Sequence, residues 1–469
     1  SLVREGVYAT LTERDRALAH RRAAEWLERA GEVDARVLAE HHDLGAESGQ
    51  AIELLARAAV KALAGNDLDA AIAYSERALA KSASSPAERE GQARLAWTKS
   101  LAHLWRGENE SAALAAESAR SQTKAGSELW FRASWVVIAA TGRLGDFERL
   151  TALGSALASC PVAPDAQLAR LMTLSQVAVQ GQNAGRWDFS QRILSELPDS
   201  STVASEDPAL AAAIDRARGT KAARDGDIGL FLAYTHASVN RLDAAGDVRN
   251  AALQRVNLGY AELLLGRYAE AEQYLNEAIA TGERLTLHNV IAMAKNNLGL
   301  VATRLGRIED GLRIEREAVA AFVKYRDMRM EGGSRAYLAL QLLEAGEVDA
   351  AESEAGLVME LAGRLPTMRG FAQAILGGVS LARGDSNGAL RVLSEAMNTL
   401  EHHGIEDGEI FLRVMYRNAL RAAGRDVEAG AAAEATRARV LELAQKISDS
   451  ELRQGFLTNV PENRDALAT

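Results

Sequence analysis

A glycine returns along this chain about every forty residues, each time between two leucine- and alanine-rich runs. The series is Gly65, Gly107, Gly145, Gly185, Gly226, Gly266, Gly306, Gly346, Gly384 and Gly424, with steps of 42, 38, 40, 41, 40, 40, 40, 38 and 40 residues. The local context repeats as well, as in Leu264-Leu265-Gly266-Arg267-Tyr268-Ala269-Glu270-Ala271 and Glu344-Ala345-Gly346-Glu347-Val348-Asp349-Ala350-Ala351. A fixed period of this length is the signature of stacked helical hairpins, each burying its apolar face on its neighbours. A chain of 469 residues can then do without one central core, because each repeat touches only those beside it. The expected fold is all-α, a right-handed superhelical solenoid of about ten hairpins with a period of about 40 residues.

The spacing of apolar residues locates the helices. Leu253, Val256, Tyr260, Leu263 and Leu264 follow helical periodicity. They predict a first helix from about Asn250 to Leu265, broken by Gly266 in a left-handed conformation. A second helix is expected from about Tyr268 to Gly282, with the next hairpin beginning near Leu287. Seven residues before the repeat glycine the side chain is usually small, as at Ala58, Ser100, Ala178, Gly219, Gly259, Gly299, Ala339 and Gly377, with Ile138 and Arg417 as exceptions. Five residues after it a small residue is again common, as at Ala112, Ala271, Gly311, Ala351 and Ala389. Small residues at these two places let two backbones approach closely. A glycine inside a helix costs about 1 kcal/mol against alanine, so its return at one repeat position indicates a packing demand.

This pattern resembles the tetratricopeptide repeat. Gly259, Gly266, Tyr268 and Ala271 carry its small residue, its glycine seven later, its aromatic two after that and its alanine five after the glycine. The usual repeat is shorter than the one here, so each helix is expected to be longer by close to a turn. Two polar, proline-bounded breaks, Ser159 to Pro164 and Pro198 to Pro208, read as connections between hairpins, since the register survives both.

The first 45 residues do not follow the repeat. Leu2-Val3-Arg4-Glu5-Gly6-Val7-Tyr8, one helix from Arg14 to Glu28, and Leu38-Ala39-Glu40-His41-His42 resemble the junction between the winged-helix end of a STAND-type signalling ATPase and its tetratricopeptide array. Ile447 to Leu457, followed by Val460-Pro461-Glu462-Asn463, resembles the closing segment of such arrays. The resemblance implies a sensor that binds a protein or small ligand and controls the ATPase and output domain of a bacterial multidomain kinase, nucleotidyl cyclase or transcriptional activator. A free-standing scaffold or co-chaperone-like adaptor is the alternative. The expected organisation is a helical junction over 1–45, repeats over 46–200 and 201–446, and a helical cap and tail over 447–469. The chain begins Ser1-Leu2-Val3 without an initiator methionine, and the expectation is a piece of a longer polypeptide.

Composition narrows the chemistry. The balance of 54 basic against 64 acidic residues, net −10, lacks the basic footprint that non-specific nucleic-acid binding requires. Cys160 is the single cysteine, so no intrachain disulfide forms, and a cytoplasmic location is expected. No run of apolar residues is long enough to suggest a membrane span. No G-x-x-x-x-G-K-[ST] segment cradles a phosphate, no HExxH or Cys/His cluster offers a metal site, and no Gly-x-Ser-x-Gly presents a nucleophile. The pairs His41-His42 and His402-His403 are adjacent in sequence and so diverge on a helix. Arg383-Gly384-Asp385-Ser386 contains an adhesion tripeptide, but Gly384 is the repeat's own turn glycine. No catalytic residue, cofactor or metal is expected.

Function should therefore lie on the groove lined by the first helix of each hairpin. Counting back thirteen, ten, six, three and two residues from each glycine gives Arg94, Trp97 and Trp105 from Gly107, and Arg132, Trp135 and Arg143 from Gly145. It gives Gln182 and Asn183 from Gly185, Arg216 and Arg224 from Gly226, and Asn296 and Arg304 from Gly306. Carboxamides can hold an extended backbone and arginine forks onto carboxylates. Tryptophan and arginine are also enriched where binding energy concentrates. The expected partner is a protein or peptide of negative charge, or the parent's own ATPase and output domains, with no direct contact to nucleic acid or membrane.

Overall fold

The computed structural model describes residues 8, 10–82, 89–362, 366–403 and 407–468. Leu2 to Val7, which carry part of the junction resemblance, and the side chain of His403 lie outside the described residues. The chain forms two compact units, one of Ser1–Ala140 with Cys160–Arg170, the other of Thr141–Ser159 with Leu171–Thr469.

Twenty-five helices occur among the described residues. The first nine are α1 (Glu13–Arg29), α2 (Ala35–Leu44), α3 (Ser48–Ala64), α4 (Leu68–Lys81), α5 (Arg89–Arg106), α6 (Asn109–Ser121), α7 (Glu128–Arg143), α8 (Phe147–Ser159) and α9 (Gln167–Asn183). Next come α10 (Trp187–Ser195), α11 (Ser200–Val203), α12 (Pro208–Arg224), α13 (Ile228–Ala244), α14 (Val248–Leu264), α15 (Tyr268–Arg284), α16 (His288–Arg304) and α17 (Ile308–Tyr325). The last eight are α18 (Met328–Glu344), α19 (Val348–Leu361), α20 (Pro366–Ala382), α21 (Ser386–His403), α22 (Glu409–Ala422), α23 (Asp426–Lys446), α24 (Ser450–Thr458) and α25 (Pro461–Leu467). They pack as consecutive pairs, α12 on α13, α14 on α15, α16 on α17 and so on. This is the all-α solenoid that the period implies. The polar break at Pro198 to Pro208 is not wholly irregular, since it holds the one-turn α11.

Each hairpin turns on the same device. Nine of the ten repeat glycines have positive φ, between 69° at Gly185 and 83° at Gly107 and Gly306. At Gly266 the amide donates to Leu263 O (3.0 Å) and the next amide, Arg267, to Glu262 O (2.9 Å), which satisfies carbonyls at the helix end. Several turns continue Gly-Asp, and the aspartate then caps the following helix: Asp227 accepts from Leu230 N at 2.9 Å and Asp385 from Gly388 N at 2.8 Å. Gly65 is the exception and corrects the expectation there. Its φ is −78° and Asn66, at +63°, takes the left-handed place. Asparagine tolerates that region better than most residues.

The small residue seven before the glycine has a definite neighbour. A Cβ on Gly259 would stand 2.6 Å from Leu275 Cγ and 3.2 Å from Ala271 O. Leu275 and Ala271 are fully buried on the second helix of the same hairpin. The two helices thus meet backbone to backbone, and the first helix is held with its opposite face toward the interior.

The second unit carries one element that the repeat does not explain. From the last turn of α23 onward the chain runs back along the turns of earlier hairpins. Leu443 packs on Gly226, Lys446 Nζ donates to Asp225 O (2.7 Å), and Asn459 Nδ2 donates to Gly266 O (3.2 Å). Tyr268 Oη donates to Asn459 O at 3.1 Å. Arg304 meets Glu462 at 2.5 Å, and Arg417 meets Asp465 at 3.1 Å. Phe456, Ile447 and Ala466 join a buried cluster with Phe231, Leu258, Leu265 and Val414. This strap also accounts for Arg417, which broke the small-residue rule. Its side chain is 3% exposed and reaches Asp465 in place of packing on a hairpin partner.

These contacts set opposite signs for one substitution at two glycines. Gly259→Ala should destabilise the chain by about 1–3 kcal/mol through overpacking. Gly430, inside α23, has open space where a Cβ would stand, with nothing within 4 Å, and Gly430→Ala should gain about 0.5–1 kcal/mol. Urea unfolding of both variants checks this, and equal shifts would refute the close-approach argument.

Candidate ligand cavity

The first helices of the second unit's hairpins enclose a cavity of about 270 Å³. Residues from α9, α12, α14, α16, α18 and α20 line it, joined by Trp187 of α10, Phe231 and Thr235 of α13, and Asp407. Two tiers follow from the repeat register. One lies nine or ten residues before each glycine and comprises Arg216, Val256, Asn257, Asn296, Asn297, Ala336 and Tyr337. The other lies two or three residues before it, at the turn edge, with Gln182, Asn183, Ala223, Arg224 and Leu264. Eight residues of helix separate Arg216 from Arg224, a rise of about 12 Å. A second cavity of about 230 Å³ shares Arg224, Tyr260, Leu264, Tyr337, Phe371 and Asp407 with the first, so the two are continuous. Its far wall is the strap, through Phe456, Val460, Glu462 and Asn463.

The walls mix apolar surface with hydrogen-bonding groups. Phe231, Leu253, Val256, Met293, Met330 and Met368 supply the first, and Trp187, Tyr260 and Tyr337 present rings. Gln182 is 4% exposed. Its Nε2 donates to Ala178 O and Ala217 O, both at 3.2 Å, while its Oε1 is buried without a partner. An acceptor in that state favours a ligand N–H. Tyr337 donates its hydroxyl to Asp407 and, buried beside that carboxylate, has its pKa pushed well above the usual value.

The arginines differ in what they already hold. Arg224 pairs with Asp225 and lies over the Trp187 ring, 5.1 Å from its centroid. Arg304 is held by Glu344 at 2.7 Å and by Glu462 of the strap. Arg143 has the opposing charge of Asp327 beside it. In the first unit, Arg94 pairs with Glu90, and Arg132 pairs with Glu128 while stacking on Trp97 at 5.6 Å. Arg216 has only Gln176 Oε1, at 3.2 Å, and no carboxylate pairs with it among the described residues. Burial, and next the positive charge of Arg143, bring its pKa down to about 10.

Behind the wall lies a polar core that periodicity did not reveal. Glu315 is fully buried where other repeats place Leu275 and Leu393, sixteen residues after the small position. Ser334 Oγ lies 2.6 Å from Glu315 Oε1 and donates to Asn296 Oδ1 at 2.8 Å. Gln341 Nε2 donates to Glu315 Oε2 at 3.3 Å, and Thr303 donates to Gln341 Oε1 at 3.0 Å. Burial pushes the Glu315 carboxyl well above its usual 4.5, against the two side-chain hydrogen bonds that favour ionisation. Neutral, it can donate to Ser334 while Ser334 donates to Asn296 on the cavity wall.

Of the residues expected on the groove, Gln182, Asn183, Arg216, Arg224 and Asn296 fall on the first cavity and Arg304 on the second. Trp105 is 8% exposed and lies among the buried core residues. Trp97 and Trp135 are half-buried. The sequence reading missed Asn257, Tyr260, Tyr337 and Asp407. Asn257 and Tyr337 lie one residue past the position ten before the glycine, so a count that included that neighbour would have found them.

Glu315 sets a pH prediction. A carboxyl whose folded pKa is raised contributes stability that is full below about 4.5 and declines as pH rises toward the folded pKa. Wild-type stability should fall between pH 5 and 7.5, and Glu315→Gln should remove that fall. Urea unfolding at the two pH values measures it, and identical slopes for both proteins would refute a neutral Glu315.

Comparison with known proteins agrees with this architecture. Residues 248–322 match the tetratricopeptide repeat family. No curated protein sequence matches the chain. Among solved structures, a Rap protein complexed with competence and sporulation factor is similar over 72% of this chain and 97% of that one, at 11% identity and a TM-score of 0.51. The apo form of RapI matches over 72% and 96%, at 10% identity and a TM-score of 0.42. A STAND protein with a tetratricopeptide repeat sensor from Pyrococcus horikoshii matches over 83% of this chain and 53% of that one, at 12% identity and a TM-score of 0.37. Identities this low speak to fold alone. Its period and paired helices give this chain a tetratricopeptide-like helical solenoid fold, and the segment 248–322 matches the tetratricopeptide repeat family.

Proposed function

We propose that the chain is a non-catalytic recognition array whose second unit holds an extended segment of a protein or peptide partner in its interior cavity. The observation that carries this is the tier of carboxamides on successive first helices, Asn257 and Asn296 with Asn297, beside the unpartnered acceptor of Gln182. Neighbouring helices pack about 8–10 Å apart, close to three residues of an extended chain at about 3.3 Å each. One carboxamide per repeat can therefore meet the backbone of every third residue. Arg216, hydrogen-bonded to the neutral Gln176, favours a partner with acidic side chains.

Within this reading, the array serves as the sensor of a STAND-type signalling ATPase, an assignment supported by the resemblance of the segments around Arg14 to Glu28 and Ile447 to Asn463 to the two ends of such arrays. The alternative is a free-standing adaptor. An immunoblot of the source organism's lysate separates the two. A native band far above the 50.2 kDa of this chain supports the sensor, and a band near that mass supports the adaptor.

The groove itself is tested with fluorescein-labelled random hexapeptides. Two lost hydrogen bonds of about 0.5–1.5 kcal/mol each predict that Asn257→Ala with Asn297→Ala weakens retention about tenfold. Retention unchanged by the double substitution would refute the groove.

A further inference from the structure

The polar core behind the cavity wall bears on what the wall offers a ligand. This deepens the groove reading and rests on it. We infer that Glu315 is a positioning residue for the cavity: gain or loss of its proton, relayed through Ser334, turns the Asn296 and Asn297 amides together and so decides whether the wall presents N–H donors or carbonyl acceptors.

The relay follows from counting hydrogens. Ser334 Oγ has one hydrogen and two oxygen neighbours, Asn296 Oδ1 at 2.8 Å and Glu315 Oε1 at 2.6 Å. Asn296 Oδ1 carries no hydrogen, so the serine donates to it, and the hydrogen of the second contact comes from Glu315. The other carboxyl oxygen agrees, since Oε2 accepts from Gln341 Nε2 at 3.3 Å, and Gln341 Oε1 accepts from Thr303 at 3.0 Å. The carboxyl thus has an acceptor side, Oε2, and a donor side, Oε1. Asn296, its oxygen taken by Ser334, turns its Nδ2 to Asn297 Oδ1 at 3.0 Å. What remains for a ligand is the second N–H of Asn296 and the amino group of Asn297.

Loss of the proton reverses every link. A carboxylate only accepts, so the Ser334 hydroxyl turns to Glu315, and its oxygen faces Asn296 Oδ1 with no hydrogen between them. Exchange of the Asn296 oxygen and nitrogen restores a bond, from Nδ2 to Ser334. The Asn296 oxygen then faces Asn297, whose amide must turn as well. The groups left over are now carbonyl oxygens. Both carboxamides line the cavity, so one proton behind the wall changes which ligand group fits in front of it.

The surroundings leave the relay to answer that proton. Glu315, Ser334 and Gln341 are fully buried. A Cβ on Gly299 would stand 2.5 Å from Glu315 Oε2, and one on Gly311 would stand 2.2 Å from Thr303 Oγ1, so on that side the helices close without space for a water. No charged side chain among the described residues meets Glu315. On α16, Lys295 pairs with Glu317, and Arg304 with Glu344 and Glu462. On α17, Arg313 pairs with Asp310 and Glu317. On α18, Arg335 pairs with Glu331 and Glu354, and Asp327 has Arg143 beside it. Burial raises the carboxyl well above its usual 4.5, opposed by Ser334 and Gln341. The exchange is therefore moved up from the acid range.

The test uses rhodamine-labelled random hexapeptides without Asp, Glu, His or Cys, acetylated and amidated at their ends, so that the probe does not titrate between pH 5 and 8. Peptides retained by the wild-type chain at pH 5 are rebound at both pH values. The wild type should hold them about tenfold less at pH 8, where their carbonyls meet acceptors. Glu315→Gln, whose amide gives Ser334 a fixed N–H and Gln341 a fixed carbonyl, should hold them equally at both. Ser334→Ala should also lose the pH dependence of retention yet keep that of urea unfolding, because Glu315 still titrates. A carboxyl that served stability alone would not separate the two readouts. Ser334→Ala stands in should Glu315→Gln not fold. Equal wild-type retention at the two pH values, or a pH dependence that survives in either variant, overturns the relay and leaves the groove standing. Survival would point instead to Asp407, a carboxyl on the wall itself. No retention by the wild type at pH 5 overturns both.

Discussion

Everything in the second unit depends on how closely the two helices of a hairpin approach. At Gly259 there is no room for a methyl group between α14 and the Leu275 side chain of α15. The same shortage recurs at Gly377, which faces Leu393. A pair of helices held this tightly has a fixed rotation about its own axes, so the face of the first helix opposite the contact is fixed as well. Repetition then aligns those faces. The cavity is a consequence of packing on its far side, and its two tiers are the register positions that packing leaves unused.

Charge follows from the same geometry. A wall built from the inward faces of helices collects whatever polar residues those positions carry, and each must find a partner or a ligand. The turn-edge tier has been closed off by carboxylates, with Asp225 on Arg224 and Glu344 and Glu462 on Arg304. Glu462 comes from the strap, so the residue that neutralises the turn edge also fixes the segment that covers it. One tier deeper, Glu315 solves a different problem. It stands where other repeats carry leucine; burial pushes its carboxyl well above the usual range, and in its neutral form it completes a chain of hydrogen bonds ending at Asn296. That chain gives the amide a set orientation on the wall, where a freely rotating side chain would offer donor and acceptor indiscriminately.

The sequence makes the repeat legible because each turn needs the same backbone conformation. Gly107 to Gly424 mark nine left-handed turns, and only Gly65 misleads, since Asn66 can occupy the same conformation one residue later. The helix boundaries come out within a few residues for the same reason. Apolar spacing predicts the helix α14 from about Asn250 to Leu265, and it runs from Val248 to Leu264. The wall was partly legible, because a side chain's tier is a count from the glycine. What a count cannot supply is the partner. Arg216 and Arg304 look alike in sequence, and only three-dimensional contacts distinguish an arginine held by two carboxylates from one held by a glutamine. The strap was expected only as a helical cap and tail over 447–469; its course across earlier turns was hidden, and Arg417 hinted at it only as a violation of the small-residue rule.

That violation carries a general point about arrays of this kind. A solenoid gains stability from neighbours, and its last hairpin has none on one side. The usual remedy is a capping helix with a polar outer face. Here the cap does not stop at the final hairpin, α22 with α23. It continues for some twenty residues, from the end of α23 at the Gly226 turn to the turn at Gly266. The final repeat is thereby joined to repeats far earlier in the chain. A purely nearest-neighbour array could open at any joint, whereas one tied across its turns must open the strap to change its curvature. The cavity between α12 and α18 and the strap held at Arg304 and Arg417 therefore bear on the same set of helices, and whatever loosens one alters the frame of the other.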